Sequence, residues 1–460
     1  MEKLLKAVQI FNTYLSDYIL IVLLVGTGLF YTLRTRFVQV RCFKEGIKNI
    51  VKGISSKSNN TSDGINSFRA LTTAVAAQIG TGNIIGACGA ILTGGPGALF
   101  WMWVISFFSM ATIYAEAVLS IKTRKIYPDG TISGGPVYYI RRAFPQKTGK
   151  ILSGFFAFAT VLALGFMGAM VQSNSISSAL SCAFGIDRRL IGIITGLSAG
   201  VIFLGGIKRI SSVTEKLVPL MALLYIAGGV AVMLCRAKYI PETLVMIFKY
   251  AFKPNAIIGG SVGMALKTVI SQGVKRGLFS NEAGMGSTPH AHAVANVRRP
   301  HEQGVAAMMG VFTDTFIVLT TTGLIVISTL YAGGGPLSPD AVYGAKEGIT
   351  QNNMAQLSIG SVLGSISLGK IFIAVCLMFF SFSTIISWNY FGKINANYLF
   401  GKKITPLYTI VAVIFTYLGS VMSSDMVWNL ADMFNQLMVI PNVIALWVLS
   451  PVVSMESNKK

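Results

Sequence analysis

The stretch QIGTGNIIGAC, residues 78–88, interrupts an apolar run long enough to cross a membrane. Gly80, Gly82 and Gly86 weaken a helix there, while Gln78, Thr81 and Asn83 bring polar groups that hydrocarbon penalises. Two explanations compete. Gly82 and Gly86 have the small-xxx-small spacing with which membrane helices pack closely. Alternatively, the helix unwinds at IGTGN. Its freed carbonyls then suit a cation or an ammonium group, and the half-helix starting near Asn83 offers N–H groups and a positive dipole end to a carboxylate. Unwound backbone is tolerated in a membrane only where something else satisfies it.

A second stretch, GLFSNEAGMGSTPHAHA at 277–293, favours the unwound reading. It again mixes glycines with polar residues, and it places Asn281 and Glu282 where a lone acid costs about 3 kcal/mol on an insertion scale. With one N-terminal span set aside, the two breaks fall in the first span of each of two five-span halves. Paired broken helices at matching places point to an inverted-repeat transporter with its site near the bilayer midplane.

The rest of the chain agrees with an all-α polytopic membrane protein. Of 460 residues, 53% are hydrophobic and 12% charged, and the mean hydropathy is +0.64. A soluble domain carries roughly twice that share of charge. The net charge of +21 gathers in clusters. Arg34, Arg36, Arg41, Lys44, Lys48, Lys52 and Lys57 follow the first span; Lys122, Arg124, Lys125, Arg141 and Arg142 follow another. Lys208, Arg209 and Lys216 follow a third, and Arg298 and Arg299 fall in a later loop. Clusters between alternate spans are the positive-inside pattern, which sets the N-terminus outside and the C-terminus in the cytoplasm of a cell-membrane protein. No basic loop is interleaved with aromatics as in a nucleic-acid module. The five cysteines, Cys42, Cys88, Cys182, Cys235 and Cys376, are far apart and read as small buried apolar side chains. The opening MEKLLKAVQIFNTYLSDY is too polar for a signal-peptide core, so the first span is expected to be retained.

Eleven spans are expected, near 15–33, 68–93, 97–121, 150–182, 189–207, 217–235, 271–295, 304–332, 367–392, 404–422 and 426–450. The intervals 126–149, 236–270 and 333–366 read as loops or interfacial helices. The chain thus divides into an extra helix with a basic segment (1–67), two five-helix units (68–235 and 236–450) and a cytoplasmic tail (451–460).

Several buried polar residues carry candidate roles. Glu282 reads as a cap on backbone amides freed by the breaks, with cation ligand and proton carrier as alternatives. Glu116, near a basic cluster, reads either as a snorkelling ion pair or as a second brace for the unwound segments. Asp314, between Thr313 and Thr315, suits a cation or a helix–helix hydrogen bond. Ser383 and Thr384 offer adjacent hydroxyl oxygens, hard ligands fit for Na⁺, though such hydroxyls also bond to their own preceding turn. Trp388 reads as the wall of a small pocket or as ordinary packing.

These residues resemble the alanine/glycine:cation symporters, also called the sodium:alanine symporter family. The matching stretches are GTGNI (80–84), GGPGALFWMWV (94–104), MVQSNSI (170–176), GLFSNEAGMGS (277–287) and FSFSTIISW (380–388), in that family's order. The resemblance implies a LeuT-type five-plus-five inverted repeat with one extra N-terminal helix. It implies uptake of L- or D-alanine or glycine with Na⁺, or with H⁺, by alternating access and without an organic cofactor. By the same resemblance Thr81, Gly82 and Asn83 meet the substrate carboxylate, Gln172 bonds the substrate and Asn174 supports it. Phe279, Gly284 and Trp388 bound the side-chain pocket. Backbone oxygens of Ala76, Ile79 and Phe380, with the hydroxyls of Ser383 and Thr384, hold Na⁺. His290 and His292 receive no transport role.

Two rivals fare worse. A membrane metalloenzyme could recruit His290, His292 and Glu282, but H-x-H on a helix points its imidazoles apart and no HExxH occurs. A channel usually repeats identical pore elements around an axis, whereas the two breaks here differ in sequence.

Overall fold

The fold comes from a computed structural model, which describes residues 2–55, 64–128, 130–253, 262–338 and 348–458. Lys57, the Gly-rich piece at 254–261 and residues 339–347 of the expected outer loop lie outside the described residues. Among the described residues, seven helices are long and apolar enough to cross a membrane: Ala98–Thr123, Gln146–Phe184, Gly206–Cys235, Pro300–Leu330, Ile366–Phe400, Lys402–Val421 and Ser424–Val448. An eighth candidate is the pair Ser67–Gln78 and Gly82–Gly94, bent by 51° at the interruption that opens the sequence argument.

Three of the eleven expected spans fall short of that measure, and the reasons differ. The first is helical from Glu2, but its strongly apolar part is Ile21–Arg34 alone. The fifth, Arg188–Leu204, has 17 residues. The seventh, Val262–Asn281, carries Lys267, Lys275 and Arg276 and ends at the second break. The sixth starts at Gly206 rather than near 217, because Gly206 at φ +61° turns the chain straight back. Lys208, Arg209 and Lys216 therefore sit on its first turns and not in a loop.

The expected interfacial stretches are partly ordered. Lys125–Ile126 pairs antiparallel with Ile132–Ser133, and Pro136–Ala143, Ile240–Phe252 and Met354–Val362 are short helices. The tail from 451 is not a loose end. Ser450–Asn458 is a helix that buries Val453 and Glu456, tied down by Lys122 Nζ to Glu456 at 2.7 Å and by Arg41 donating to the Ser457 carbonyl at 2.9 Å. Cys182 and Cys235 are exposed, so the buried reading holds for Cys42, Cys88 and Cys376 only.

Burial shows which helices form the centre. The apolar window of Ala98–Thr123 is 83% buried and that of Gly206–Cys235 only 28% buried, although the latter is the more hydropathic. Helix Ala98–Thr123 is a central post whose buried face includes Ser106, Ser109, Thr112 and Glu116, while Gly206–Cys235 shows much of its surface outward. Residues 70–91 and 280–295 are buried without interruption, so both breaks lie in the protein interior. A parallel two-residue pairing, Ile65–Asn66 with Ala295–Asn296, joins the start of the first broken helix to the end of the second.

Candidate functional site

The first break is held by side chains rather than by helix hydrogen bonds. Helix Ser67–Gln78 stops at Ile79, whose ψ of 95° leaves the helical region. The Gly80 amide then donates to Asn83 Oδ1 at 3.0 Å, and the Thr81 amide donates to Gln172 Oε1 at 3.3 Å. Asn83 Nδ2 donates to Asp314 Oδ1 at 2.6 Å and to the Asp314 carbonyl at 3.2 Å. The Asn83 carbonyl accepts from Thr322 at 2.7 Å. One hydroxyl is left over: Thr81 Oγ1 is buried and has no partner.

Five oxygens converge beside this break. Thr384 Oγ1 lies 3.0 Å from the Ala76 carbonyl, 3.3 Å from that of Ile79 and 3.0 Å from that of Phe380. Ser383 Oγ lies 3.3 Å from the Ala76 carbonyl and 2.8 Å from that of Phe380. Gly80 sits against the cluster: a Cβ there would meet Thr384 Oγ1 at 2.7 Å and the Gln172 amide at 3.3 Å. Gly82 and Gly86 are different. A Cβ at Gly82 would find nothing nearer than 3.6 Å, and one at Gly86 nothing nearer than 4.0 Å. The close-packing explanation of that Gly82/Gly86 spacing therefore fails.

The second break is built on carboxylates and left-handed backbone. Glu282, Gly284 and Gly286 have φ of +57°, +83° and +80°, a region that glycine enters freely and glutamate seldom does. Glu116, fully buried on the central post, accepts from the amides of Gly284 at 3.2 Å and Gly286 at 3.1 Å. Asn442 Nδ2 donates to Glu116 Oε1 at 2.7 Å and to the Gly284 carbonyl at 2.9 Å, and Tyr139 donates to Asn442 Oδ1. Glu116 thus holds backbone amides of the second break, with Asn442 beside them. Glu282 does not cap amides as expected: its carboxylate accepts from Trp388 Nε1 at 2.6 Å and from the Ser287 hydroxyl. The left-handed turn at Glu282 aims its side chain away from the amides that Glu116 takes.

Asp314 connects the two breaks. Besides Asn83, its carboxylate accepts from Ser280 at 3.0 Å and Thr315 at 2.9 Å, so one buried acid touches the first break and the residue leading into the second. Asn281 adds a parallel link, with Nδ2 to Ser106 at 3.0 Å and its carbonyl accepting from Gln78 at 2.8 Å.

The expected substrate residues are only partly brought together. Thr81, Gly82 and Gln172 meet at the first break, with Phe279 beside Gly82. The Asn83 amide bonds to the Gly80 carbonyl at 3.2 Å and its side chain to Asp314, so its donors are committed within the protein. Gly284 faces Leu24, and Trp388 faces Glu282 and Gly168. Phe279 packs against Trp428, the rings tilted by 42° with centroids 5.9 Å apart. Asn174 caps a helix end, donating to the carbonyls of Gly419 at 2.8 Å and Met422 at 2.9 Å. His290 and His292 do point to separate partners, Asn395 and Gln303. Sequence reasoning missed Ser106, Ser280, Thr322, Tyr139 and Asn442. Asn442 could have been found, since a lone amide inside the apolar run VIPNVIALW is the kind of polar group that binds membrane helices together.

Comparisons with known proteins give the family of the chain. Residues 1–459 match the model of the "Sodium:alanine symporter family". The "Sodium/alanine symporter AgcS" of Methanococcus maripaludis is 40% identical, over 97% of this chain and 95% of the relative. The "Probable sodium/glutamine symporter GlnT" of Bacillus subtilis is 37% identical, over 98% and 90%. Among solved structures, MhsT in complex with L-phenylalanine superposes with a TM-score of 0.57 at 15% identity, over 85% of this chain and 97% of that one, a likeness of fold alone. The chain is a multi-pass membrane transporter, not an enzyme, and it belongs to the sodium:alanine symporter family.

Proposed function

We propose that the protein imports a small neutral amino acid, alanine or glycine, together with Na⁺ by alternating access. The observation that carries this reading is the convergence of the Ala76, Ile79 and Phe380 carbonyls with the Ser383 and Thr384 hydroxyls at the first break. All five are uncharged hard oxygens, the donor type that alkali and alkaline-earth cations take. In this reading Na⁺ replaces the hydroxyl hydrogen bonds and draws both halves of the broken helix toward helix Ile366–Phe400. Beside it, the unpartnered Thr81 hydroxyl and the Gln172 amide face the amino acid, and Phe279 limits the space over Gly82. Asn83 acts one step back, fixing the backbone that receives the carboxylate. Alanine and glycine are small enough for so confined a place.

The architecture proposed with it is the LeuT-type five-plus-five inverted repeat of 68–235 and 236–450, preceded by one extra helix, with eleven spans in the cell membrane. The N-terminus lies outside and the C-terminus in the cytoplasm, as the basic clusters favour. A membrane potential adds about 2.3 kcal/mol per charge for each 100 mV to inward transport. One observation favours a second reading, H⁺ coupling: Asp314 is a fully buried carboxylate that touches both breaks.

Uptake of labelled alanine into proteoliposomes separates these readings. An inward Na⁺ gradient should drive accumulation that K⁺ cannot replace. Accumulation driven by a pH gradient without Na⁺ would transfer the coupling to Asp314. Absence of accumulation with both alanine and glycine under either gradient would overturn the substrate assignment.

A further inference from the structure

Far from the breaks, Cys42, Glu45 and His301 bring one ligand atom each to within 4.8 Å of one another. Cys42 directly precedes helix Phe43–Ser55 and Glu45 lies in its first turn, a three-residue spacing that places both side chains on one face. His301 opens helix Pro300–Val311, the helix that continues to Asp314. We propose that these three side chains form a binding site for one divalent cation of the zinc class.

The donor set fits that chemistry. A thiolate, an imidazole nitrogen and a carboxylate oxygen are the three ligand types zinc accepts, and three protein ligands leave a fourth position for water. Bonds of about 2.0–2.3 Å put tetrahedral ligands roughly 3.5 Å apart. His301 Nε2 and Glu45 Oε2 already stand 3.5 Å apart, and the Glu45 side chain, 44% exposed, is free to close on the other two. The other imidazole nitrogen is anchored, with Nδ1 and the Tyr114 hydroxyl 2.7 Å apart. Such a partner fixes the ring of a metal-bound histidine and presents Nε2 to the ion. Arg41, the neighbouring cation, is turned away to the carbonyls of Thr35 and Ser457. Glu45 also lines an open cavity of about 380 Å³ with Glu302, Asn49 and Asn296, which gives an ion an acidic route in. An ion here pins the basic segment after the first span to the helix carrying Asp314. In the transport reading above, on which this consequence alone rests, it would slow movement at the breaks.

The test uses Co²⁺ as the probe on purified full-length protein in detergent, followed by competition with Zn²⁺. One Co²⁺ per chain should bind with a thiolate-to-cobalt absorption band. Cys42→Ser should abolish the band, and His301→Ala should weaken binding by about tenfold or more. No band, or a band that survives in Cys42→Ser, overturns the site. A measurement on the unsubstituted protein avoids any folding defect: Zn²⁺ should slow maleimide alkylation of Cys42, located by peptide mass spectrometry, several-fold more than that of the exposed Cys182 and Cys235. Equal rates with and without Zn²⁺ overturn it too. Neither readout involves transport, so their failure is distinct from failure of the symport reading.

Discussion

The two breaks solve the same problem with opposite means. At residues 79–83 the freed backbone is met by uncharged amides and hydroxyls, one hydroxyl is left without a partner, and three carbonyls point at one spot. At 282–286 a carboxylate takes two amides, an asparagine locks that carboxylate, and a tyrosine locks the asparagine. The first arrangement leaves something to be bound. The second is complete, and it holds its turn in a backbone conformation that glutamate adopts only under constraint. Under the proposed function, the difference puts recognition at the first break and scaffolding at the second.

Removing Glu116 tests that division with the largest expected effect. Glu116→Ala strands the Gly284 and Gly286 amides in the interior, at roughly 1–3 kcal/mol for each orphaned donor, and leaves Asn442 Nδ2 with the Gly284 carbonyl alone. The purified variant should melt several degrees lower in detergent, and Glu116→Gln, which keeps one acceptor oxygen, should fall between. A Glu116→Ala protein that melts like the parent yet fails to transport would reverse the assignment, making the second break the functional one.

Gly80→Ala attacks the other side of the comparison. Its Cβ would stand 2.7 Å from Thr384 Oγ1, so the hydroxyl must leave the oxygen cluster. Uptake should drop by about tenfold or more, or at least 1.4 kcal/mol of lost stabilisation, while the melting temperature changes less than in Glu116→Ala. Uptake at the parent rate would show that the oxygen cluster is not part of transport.

How far these roles were legible in the sequence depends on how far away the partners lie. The breaks themselves were plain, because glycines and polar side chains are out of place in an apolar run. Ser383 and Thr384 were legible as a pair of oxygens, and the resemblance supplied their carbonyl partners. The roles of single polar residues were not. Asn174 looks like a neighbour of Gln172 in MVQSNSI, yet two residues along a helix turn it to another face, and its partners are 245 and 248 residues on. Glu116 and Glu282 could not be told apart by burial or sequence context; the left-handed backbone at Glu282 decides which of them reaches the amides. Val262–Asn281, which overlaps the span expected at 271–295, falls short of a span by hydropathy alone, since protein rather than lipid surrounds much of it.

A narrower effect separates the ion from the amino acid. Ser383→Ala combined with Thr384→Ala removes two hydroxyl ligands and leaves the three carbonyls. The Na⁺ concentration for half-maximal uptake should rise by about tenfold, with a smaller change in the alanine requirement, the asymmetry expected when only one of two coupled ligands loses direct contacts. Unchanged Na⁺ dependence would move the ion away from the first break and leave Asp314 as the coupling group.

The smallest effect is the sharpest. Gly82 lies two residues from Gly80 in the same break, yet a Cβ there would make only ordinary contact with Phe279 and Ser280, at 3.6 Å. Its φ is not in the left-handed region, and it begins the second half-helix, where alanine is favoured over glycine by about 1 kcal/mol. On packing grounds alone Gly82→Ala should melt at or slightly above the parent temperature. If the amino acid occupies the space over Gly82, however, the added methyl takes room from its side chain. Alanine uptake should then lose affinity by several-fold while glycine uptake loses less, because glycine has no methyl to collide. The ratio of the two half-saturation constants is therefore the quantity to measure. A ratio equal to the parent's, in a variant of undiminished stability, would place the substrate elsewhere along the first break, nearer Thr81 and Gln172.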